Sequence, residues 1–301
     1  MDFHSMNDLL QLCEEKEMTM GRLMMETEEK KTGKSSDEIF TMMKERLFKM
    51  KEAVEKGITD PSPSPSGISG GDAHLMKEYK DKGNYMTGGL VTDAMKYAFA
   101  TSETNARMGV IVATPTAGSA GILPGCIFAL EDNTDISTDD LVMGLFTASA
   151  IGYVIANRAF ISGAAGGCQA EVGSATAMAS AAIVEMRGGT PEQAVHAAAM
   201  SLKSLLGLVC DPVAGLVEVP CIKRNVIGTA IAFASADMAL AGIKSRIPCD
   251  EVIGAMYDIG SSMPRTLKET SLGGLAATPT GEDLKRKLMA KPCRNSAKNT
   301  G

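Results

Sequence analysis

Aromatic residues are scarce in this chain of 301 residues, which has no tryptophan and only 4% aromatic residues in total. A core without large rings has to be filled by other side chains, and the 21 methionines and 31 glycines indicate helices that approach one another closely. An excess of positive charge is also missing, because 36 acidic residues outnumber 30 basic ones and the net charge is -6. This balance excludes nucleic acid as a partner, since its binding proteins carry a basic stripe.

Paired cysteines are absent too, since the seven cysteines are irregularly spaced and none forms a Cys-x-x-Cys motif. We find no signal peptide, so this pattern predicts reduced thiols in the cytoplasm and not a disulfide framework. The longest apolar run, 226–243, approaches the roughly 20 residues of a membrane span but contains Asp237. We therefore predict a buried core helix there and no membrane partner.

Most of the apolar residues recur with the spacing of helices, and few stretches alternate with the period of two that strands require. Ser35 with Glu38, and Ser137 with Asp140, form capping boxes at the start of two predicted helices. The Met- and Glu-rich stretch 5–31 predicts one amphipathic helix. The fold class that follows is all-α or very nearly so, a multi-helix bundle whose Gly/Pro-rich loops converge on one site.

A boundary is predicted at the Pro-rich stretch 61–65, which interrupts regular structure and resembles a linker. We therefore divide the chain into an N-terminal helical arm at 1–60 and a main domain at 61–301. One continuous domain is the alternative.

Three cysteines lie in unusually apolar loops. Cys168 occupies a Gly/Ala-rich turn at 163–171, and Cys210 and Cys221 bracket a loop punctuated by proline. Unpaired backbone groups normally keep loops in contact with water, so an apolar loop calls for another partner. An anionic group such as a thiolate-bound metal cluster is one such partner for backbone N–H groups. The spacing alone leaves two alternatives open, a metal site and three structural thiols.

Five runs of sequence carry a resemblance to one protein family, and they occur in the family's order across most of the chain from about residue 61 onward. They are the runs at 65–73, 115–124, 163–171, 208–225 and 272–281. Through these runs the chain resembles the alpha chain of the iron–sulfur-dependent L-serine dehydratases, also called L-serine ammonia-lyases. Any one run is weak, whereas the five together are specific.

The resemblance implies a 4Fe–4S cluster held by Cys168, Cys210 and Cys221, so that 61–301 is a cluster-binding catalytic domain. Three protein ligands leave one iron open as a Lewis acid for a small amino-acid substrate. The implied reaction removes water from L-serine, and the resulting enamine hydrolyses to pyruvate and ammonia. Such enzymes combine an alpha and a beta portion, so the resemblance also implies a beta subunit in a heterodimer or higher oligomer.

Substrate contacts are predicted in three of the matching runs. The Gly/Ser loop at 65–73 can present backbone N–H groups to a carboxylate, with a flexible helix entry as the alternative. The hydroxyls of 115–124 suit a wall beside a small polar ligand. The basic pair in 208–225 either holds the substrate carboxylate or caps a helix. The predicted substrate-binding residues are Ser66, Gly67, Thr116, Ser119, Lys223 and Arg224.

Three further roles stay open. Glu171 follows Cys168 by three residues and is either a neighbour of the cluster or an acid at a helix N-terminus. The three histidines lie outside the motifs, so the general base is unknown and is expected on the partner chain. Cys293, in a polar tail, is a possible fourth ligand of the cluster.

Other functions compete with an L-serine dehydratase. A cysteine desulfidase-type lyase would use the same cluster to expel sulfide, and substrate preference distinguishes the two. A non-catalytic, cluster-bearing subunit is a candidate from another class; activity that survives the loss of a cluster thiol would support it. A pyridoxal-dependent dehydratase is weaker, because Lys203 lies within a predicted helix and lacks a phosphate-binding glycine loop.

Overall fold

The computed structural model of this protein describes residues 3–290. Within that range the regular structure consists of helices, and no β-strand is formed. A single isolated bridge joins Cys210 and Lys268 in parallel. The predicted all-α fold is therefore confirmed.

Thirteen α-helices occur in the described part of the chain. In chain order they are α1 (Met6–Lys16), α2 (Met20–Thr32), α3 (Ser36–Thr59), α4 (Asp72–Asp81), α5 (Gly88–Ala106), α6 (Ile122–Asn133), α7 (Thr138–Arg158), α8 (Gly163–Gly166), α9 (Ser174–Met186), α10 (Pro191–Lys203), α11 (Cys221–Leu240), α12 (Cys249–Ser262) and α13 (Pro279–Met289). Short turns of 3₁₀ helix lie at Ala117–Ser119, Val213–Gly215, Arg265–Leu267 and Gly274–Ala277, and a π-helical turn lies at Gln169–Gly173.

The N-terminal stretch 5–31 forms two helices where the sequence predicted one. Glu17 adopts the left-handed conformation with φ 53° and ends α1. Thr19 then caps α2, because its hydroxyl accepts a hydrogen bond from the Arg22 backbone N–H at 3.2 Å. The single-helix prediction was wrong because the hydrophobic spacing continues across the break, and the residue that ends α1 is not a glycine.

Both predicted capping boxes are present. The Ser35 hydroxyl accepts from the Glu38 N–H while the Glu38 carboxylate accepts from the Ser35 N–H, and Ser137 and Asp140 repeat this arrangement. The contacts satisfy donors that a helix leaves without partners in its first turn, so they fix where α3 and α7 begin.

Small residues allow the central helices to pack closely. The buried residues of α9 are mostly alanine, serine and threonine, and this helix packs against α7, α10 and α11. A Cβ at Gly125 of α6 would lie 2.9 Å from the Ala94 carbonyl oxygen of α5. At Gly57 of α3, a Cβ would overlap the Ala100 carbonyl group of α5. Close helix contact therefore fills much of a core in which aromatic residues are few.

Side chains from both sides of the predicted boundary share one hydrophobic core. Phe3, Met20 and Leu47 belong to the same buried cluster as Ile151. Helices α2 and α3 pack on α7 and α5 of the main body. The division at residue 60 stays a prediction.

One described helix, α7, is long and apolar enough to cross a membrane by length and composition alone. Its most apolar window is 67% buried within the protein, as expected for a core helix. The run 226–243 falls largely within α11, whose inner side chains are buried.

We predict that Gly57→Ala lowers the free energy of unfolding by roughly 1–3 kcal/mol, because the added methyl group forces α3 away from α5. Urea-induced unfolding followed by circular dichroism measures the change. Gly254→Ala in α12 is the matched control, since a Cβ there meets nothing within 4 Å. That control should be neutral or stabilising by about 0.5–1 kcal/mol, and equal destabilisation of both variants would contradict the packing.

Candidate functional site

The three loop cysteines are placed by short irregular segments at helix ends. Cys168 directly precedes the π-helical turn, Cys210 lies in the loop after α10, and Cys221 is the first residue of α11. Their exposed fractions are 3%, 4% and 9%. All three side chains are therefore held inside the protein.

The three thiols lie near enough to influence one another's protonation. Burial raises the pKa of Cys168 to about 11 and that of Cys221 to about 12, and the Cys168 thiol adds to the effect on Cys221. Burial also raises the pKa of Cys210, with further contributions from Cys168 and Cys221. The structure thus brings together the cysteines that the sequence singled out.

An ion pair links two of the cysteine segments. The Arg224 Nη2 atom lies 3.0 Å from Asp211 Oδ1, and Arg224 Nη1 donates to the Val209 carbonyl oxygen at 2.7 Å. Arg224 also lies beside Cys168 and opposes the rise in the pKa of that thiol. The other Asp211 oxygen accepts from the Leu275 N–H at 2.8 Å. The pair therefore joins the two cysteine loops to the turn at 274–277.

Glu171 lies against the thiol site. An ideal Cβ at Gly163 would be 2.6 Å from Cys210 Sγ and 2.9 Å from Glu171 Oε2, so only glycine leaves room for both side chains. The Thr116 hydroxyl donates to Glu171 Oε1 at 2.8 Å. Burial raises the pKa of Glu171 despite this hydrogen bond, and the nearby Glu269 carboxylate adds to the shift.

Backbone pairing fixes the Cys210 segment beside Glu269. The Cys210 N–H donates to the Leu267 carbonyl oxygen at 2.9 Å, and the Glu269 N–H donates to the Cys210 carbonyl oxygen at 2.8 Å. The negative charge of Glu269 also adds to the raised pKa of Cys210.

Asn225 fixes the 115–124 run to the start of α11. Its Oδ1 accepts from the Gly121 N–H at 2.9 Å, and its Nδ2 donates to the carbonyl oxygens of Gly118 and Cys221 at 2.7 and 2.9 Å. The side chain is 1% exposed, so these bonds satisfy an amide that water does not reach.

The Gly/Ser loop is attached to the Cys210–Cys221 segment through Glu218. Hydroxyls of Ser64 and Ser66 donate to Glu218 Oε2 at 2.7 and 3.0 Å, and the Ser69 hydroxyl makes a short hydrogen bond to the same oxygen. Glu218 itself is 5% exposed. One buried carboxylate therefore gathers the hydroxyls of Ser66 and Ser69 from the Gly/Ser loop and that of Ser64 from the preceding Pro-rich stretch.

The predicted substrate-binding residues differ in their surroundings. Lys223 is exposed and forms an ion pair with Asp72, whereas Arg224 is engaged by Asp211. Ser119 is fully buried and donates to the Thr114 carbonyl oxygen at 3.1 Å.

Thr116 faces Glu171, Ser66 lies against Glu218, and Gly67 is exposed with φ 78°. Substrate contact by the six predicted residues stays a prediction. Cys293 lies outside the described residues.

Three acids of the site were not singled out from the sequence: Asp211, Glu218 and Glu269. Asp211 and Glu218 could have been identified from the sequence, since each is a charged residue within an apolar loop that also contains cysteines. Glu269 could not have been identified in this way, because it is far from Cys210 in sequence and only the fold brings the two residues together.

Three cysteine thiolates are a donor set that iron–sulfur clusters use. Among residues 3–290, no three His, Cys, Asp or Glu side chains are grouped so that they could hold one metal ion. Cys168, Cys210 and Cys221 are free and buried, and the Arg224 side chain lies beside Cys168.

The fold and the site define a class: an all-α protein whose helix-connecting loops bury three thiols together with a group of carboxylates. The sequence profile of a family described as serine dehydratase alpha chain matches residues 15–276. The chain belongs to this serine dehydratase alpha chain family.

Curated relatives agree with the family match. A probable L-serine dehydratase alpha chain from Bacillus subtilis is 54% identical, with 95% of each chain covered. The L-serine dehydratase alpha chain of Peptoniphilus asaccharolyticus is 43% identical over 94% of this chain and 97% of its own. An L-serine dehydratase from Escherichia coli is 36% identical over 91% of this chain but only 62% of its own length.

We predict that Gly163→Ala destabilises the protein by roughly 1–3 kcal/mol, because the methyl group has to displace Cys210 Sγ and the Glu171 carboxylate. In a Cys210→Ala background the sulfur is gone, so the same change should cost about 1 kcal/mol less. Urea unfolding of the metal-free wild type, the two single variants and the double variant measures this coupling. Strict additivity would show that Gly163 and Cys210 are not in contact.

Proposed function

We propose that this protein is the alpha subunit of an iron–sulfur L-serine dehydratase, which converts L-serine to pyruvate and ammonia. The observation that carries the proposal is the convergence of the Cys168, Cys210 and Cys221 thiols in one buried site. The relatives named L-serine dehydratase support the assignment of this protein as a lyase. L-serine, the substrate in those names, is therefore the proposed substrate.

Cys168, Cys210 and Cys221 are the residues proposed to hold a 4Fe–4S cluster. When bound, a cluster with three cysteine ligands supplies an open iron that acts as a Lewis acid and turns the β-hydroxyl of serine into a leaving group. Arg224 supports the site because its positive charge lies beside Cys168 and favours the thiolate form.

The chain's other residues shape the substrate side. Glu171 holds the Thr116 hydroxyl, and Asn225 holds the backbone at Gly118 and Gly121, so this wall is rigid before a substrate arrives. Loss of the α-proton and the β-hydroxyl gives water and an enamine, whose hydrolysis consumes water and releases pyruvate and ammonia. We assign no general base to this chain.

A separate beta chain is proposed as the partner. The words "alpha chain" in the relatives' names imply an enzyme of several subunits. The chain covers only 62% of the Escherichia coli relative, so that protein contains a further portion within one polypeptide. We propose that a beta chain supplies this portion and the base, and that the complex is cytoplasmic.

Anaerobic reconstitution with iron and sulfide, with and without a co-expressed beta chain, tests the function. Pyruvate release is measured with L-serine and, in parallel, with L-cysteine. The proposal predicts pyruvate from L-serine only after reconstitution, with full activity in the presence of the beta chain. Full activity of metal-free protein would rule out the cluster, and a strong preference for L-cysteine would favour a desulfidase.

We predict that Cys168→Ser, Cys210→Ser and Cys221→Ser each abolish stable cluster binding, because two remaining thiolates do not replace three. The loss of the cluster is measured by the iron and sulfide content and by the visible absorption of the reconstituted protein. Pyruvate release should fall at least about a hundredfold, because a metal lowers the activation barrier by several kcal/mol.

Cys249→Ser is the matched control, since Cys249 is 4% exposed but lies in α12. It should keep its iron. Cys293→Ser tests the possible fourth ligand and should also keep its iron if three thiolates suffice. Retention of iron by a variant of one of the three loop cysteines would contradict the ligand assignment.

A further inference from the structure

Two adjoining cavities lie between the N-terminal helices and the main body. Cavity A is lined by residues of α2, α3 and α7, and cavity B by residues of α3, α6, α7 and α9 together with the segment 112–115. Each has a volume of about 240 Å³, and both are lined by Met43, Arg46 and Ser149. An apolar cavity of about 150 Å³ already admits benzene, so either cavity has room for a small organic molecule.

Cavity B has a largely apolar wall. Five apolar side chains from four helices line it: Met43, Met50, Leu123, Leu145 and Met178. Methionine side chains are flexible and polarisable, so this wall can adapt to ligands of different shapes. The chemistry of the wall therefore favours an aliphatic group.

Arg46 is the one charged residue among those of the described chain that line cavity B. Its Nη1 donates to the Met42 carbonyl oxygen of the same helix at 3.0 Å, and its guanidinium forms no ion pair within residues 3–290. The residue is exposed, so the charge lies where the cavity meets solvent. Its remaining N–H groups can bind a carboxylate, for which the planar guanidinium is well matched.

Charges in cavity A restrict where an anionic group is favourable. Glu28 and Lys34 line this cavity together with Arg46, so one negative group is accompanied by two positive ones. Because Glu28 repels an anion within cavity A, the favourable place for a carboxylate is at Arg46, where the two cavities meet.

The two cavities are separate from the thiol site. Within the described chain, neither is lined by Cys168, Cys210 or Cys221 or by any of the six predicted substrate-binding residues. Cavity B adjoins the 115–124 run through Thr114, whose carbonyl oxygen accepts a hydrogen bond from the Ser119 hydroxyl at 3.1 Å.

We propose that cavities A and B form a second ligand site, which binds a small aliphatic carboxylate with its charge on Arg46 and its hydrocarbon chain in cavity B. An apolar pocket with a single convergent charged group is a common form of small-molecule site. Binding to this site does not require the reaction, so the inference stands or falls independently of the proposed function.

Isothermal titration calorimetry of the full chain tests the site with hexanoate as the probe and 1-hexanol as its uncharged analogue. Hexanoate should bind saturably to one site per chain. Arg46→Met, which keeps an unbranched side chain and removes the charge, should weaken hexanoate binding at least about tenfold, as expected for a charge-assisted hydrogen bond. It should change the affinity for 1-hexanol less than about twofold, because the apolar contacts remain.

Ser149→Leu tests the location, because Ser149 lines both cavities and its hydroxyl bonds only within α7, to the Leu145 carbonyl oxygen at 2.8 Å. The larger side chain should weaken the binding of hexanoate and 1-hexanol alike. Arg46→Met alters an exposed residue, so the test does not depend on the folding of Ser149→Leu.

Arg22→Met is the matched control, since Arg22 is an exposed arginine of α2 that lies 3.8 Å from Glu26 and lines neither cavity. It should leave both affinities unchanged. The inference is overturned if the wild type does not bind hexanoate saturably, or if Arg46→Met and Arg22→Met weaken its binding equally. Unchanged binding of hexanoate by a folded Ser149→Leu variant would also overturn it.

Discussion

The ion pair between Arg224 and Asp211 is the interaction on which the site depends. It connects the start of α11 to the loop of Cys210, while Arg224 also lies beside Cys168 and Asp211 also holds the Leu275 N–H. Removing one partner of a buried pair leaves the other charge uncompensated, at a cost of about 3–5 kcal/mol. Segments distant in sequence therefore keep a common geometry because each is bonded to the same two side chains.

Close helix packing makes this arrangement possible, and buried polar side chains complete it. Alanine and glycine bring the central helices together, so the loops between them are enclosed. Enclosed backbone groups need partners. Gln169 supplies some of them, since its amide donates to the carbonyl oxygens of Gly166 and Met256 and accepts from the Gly207 N–H. Asn225 does the same for the 115–124 run, whereas Glu218 accepts hydrogen bonds from the side-chain hydroxyls of Ser64, Ser66 and Ser69.

Local features of the structure could be predicted from the sequence, and long-range ones could not. The capping boxes that begin α3 and α7 involve residues three apart, so the sequence alone was sufficient. The break at Glu17 was missed because its left-handed conformation has no compositional signal. Convergence of Cys168, Cys210 and Cys221 could not follow from their spacing, and only the family resemblance suggested it. Glu269 was unpredictable because the bridge between Cys210 and Lys268 places it.

Mössbauer spectroscopy of the reconstituted ⁵⁷Fe-labelled protein, before and after addition of L-serine, tests the central claim most directly. Three cysteine ligands on a 4Fe–4S cluster predict that about a quarter of the iron signal changes when the substrate binds, because one iron lacks a protein ligand. Spectra that are unchanged by L-serine, or a protein that deaminates L-serine without binding iron, would contradict the account.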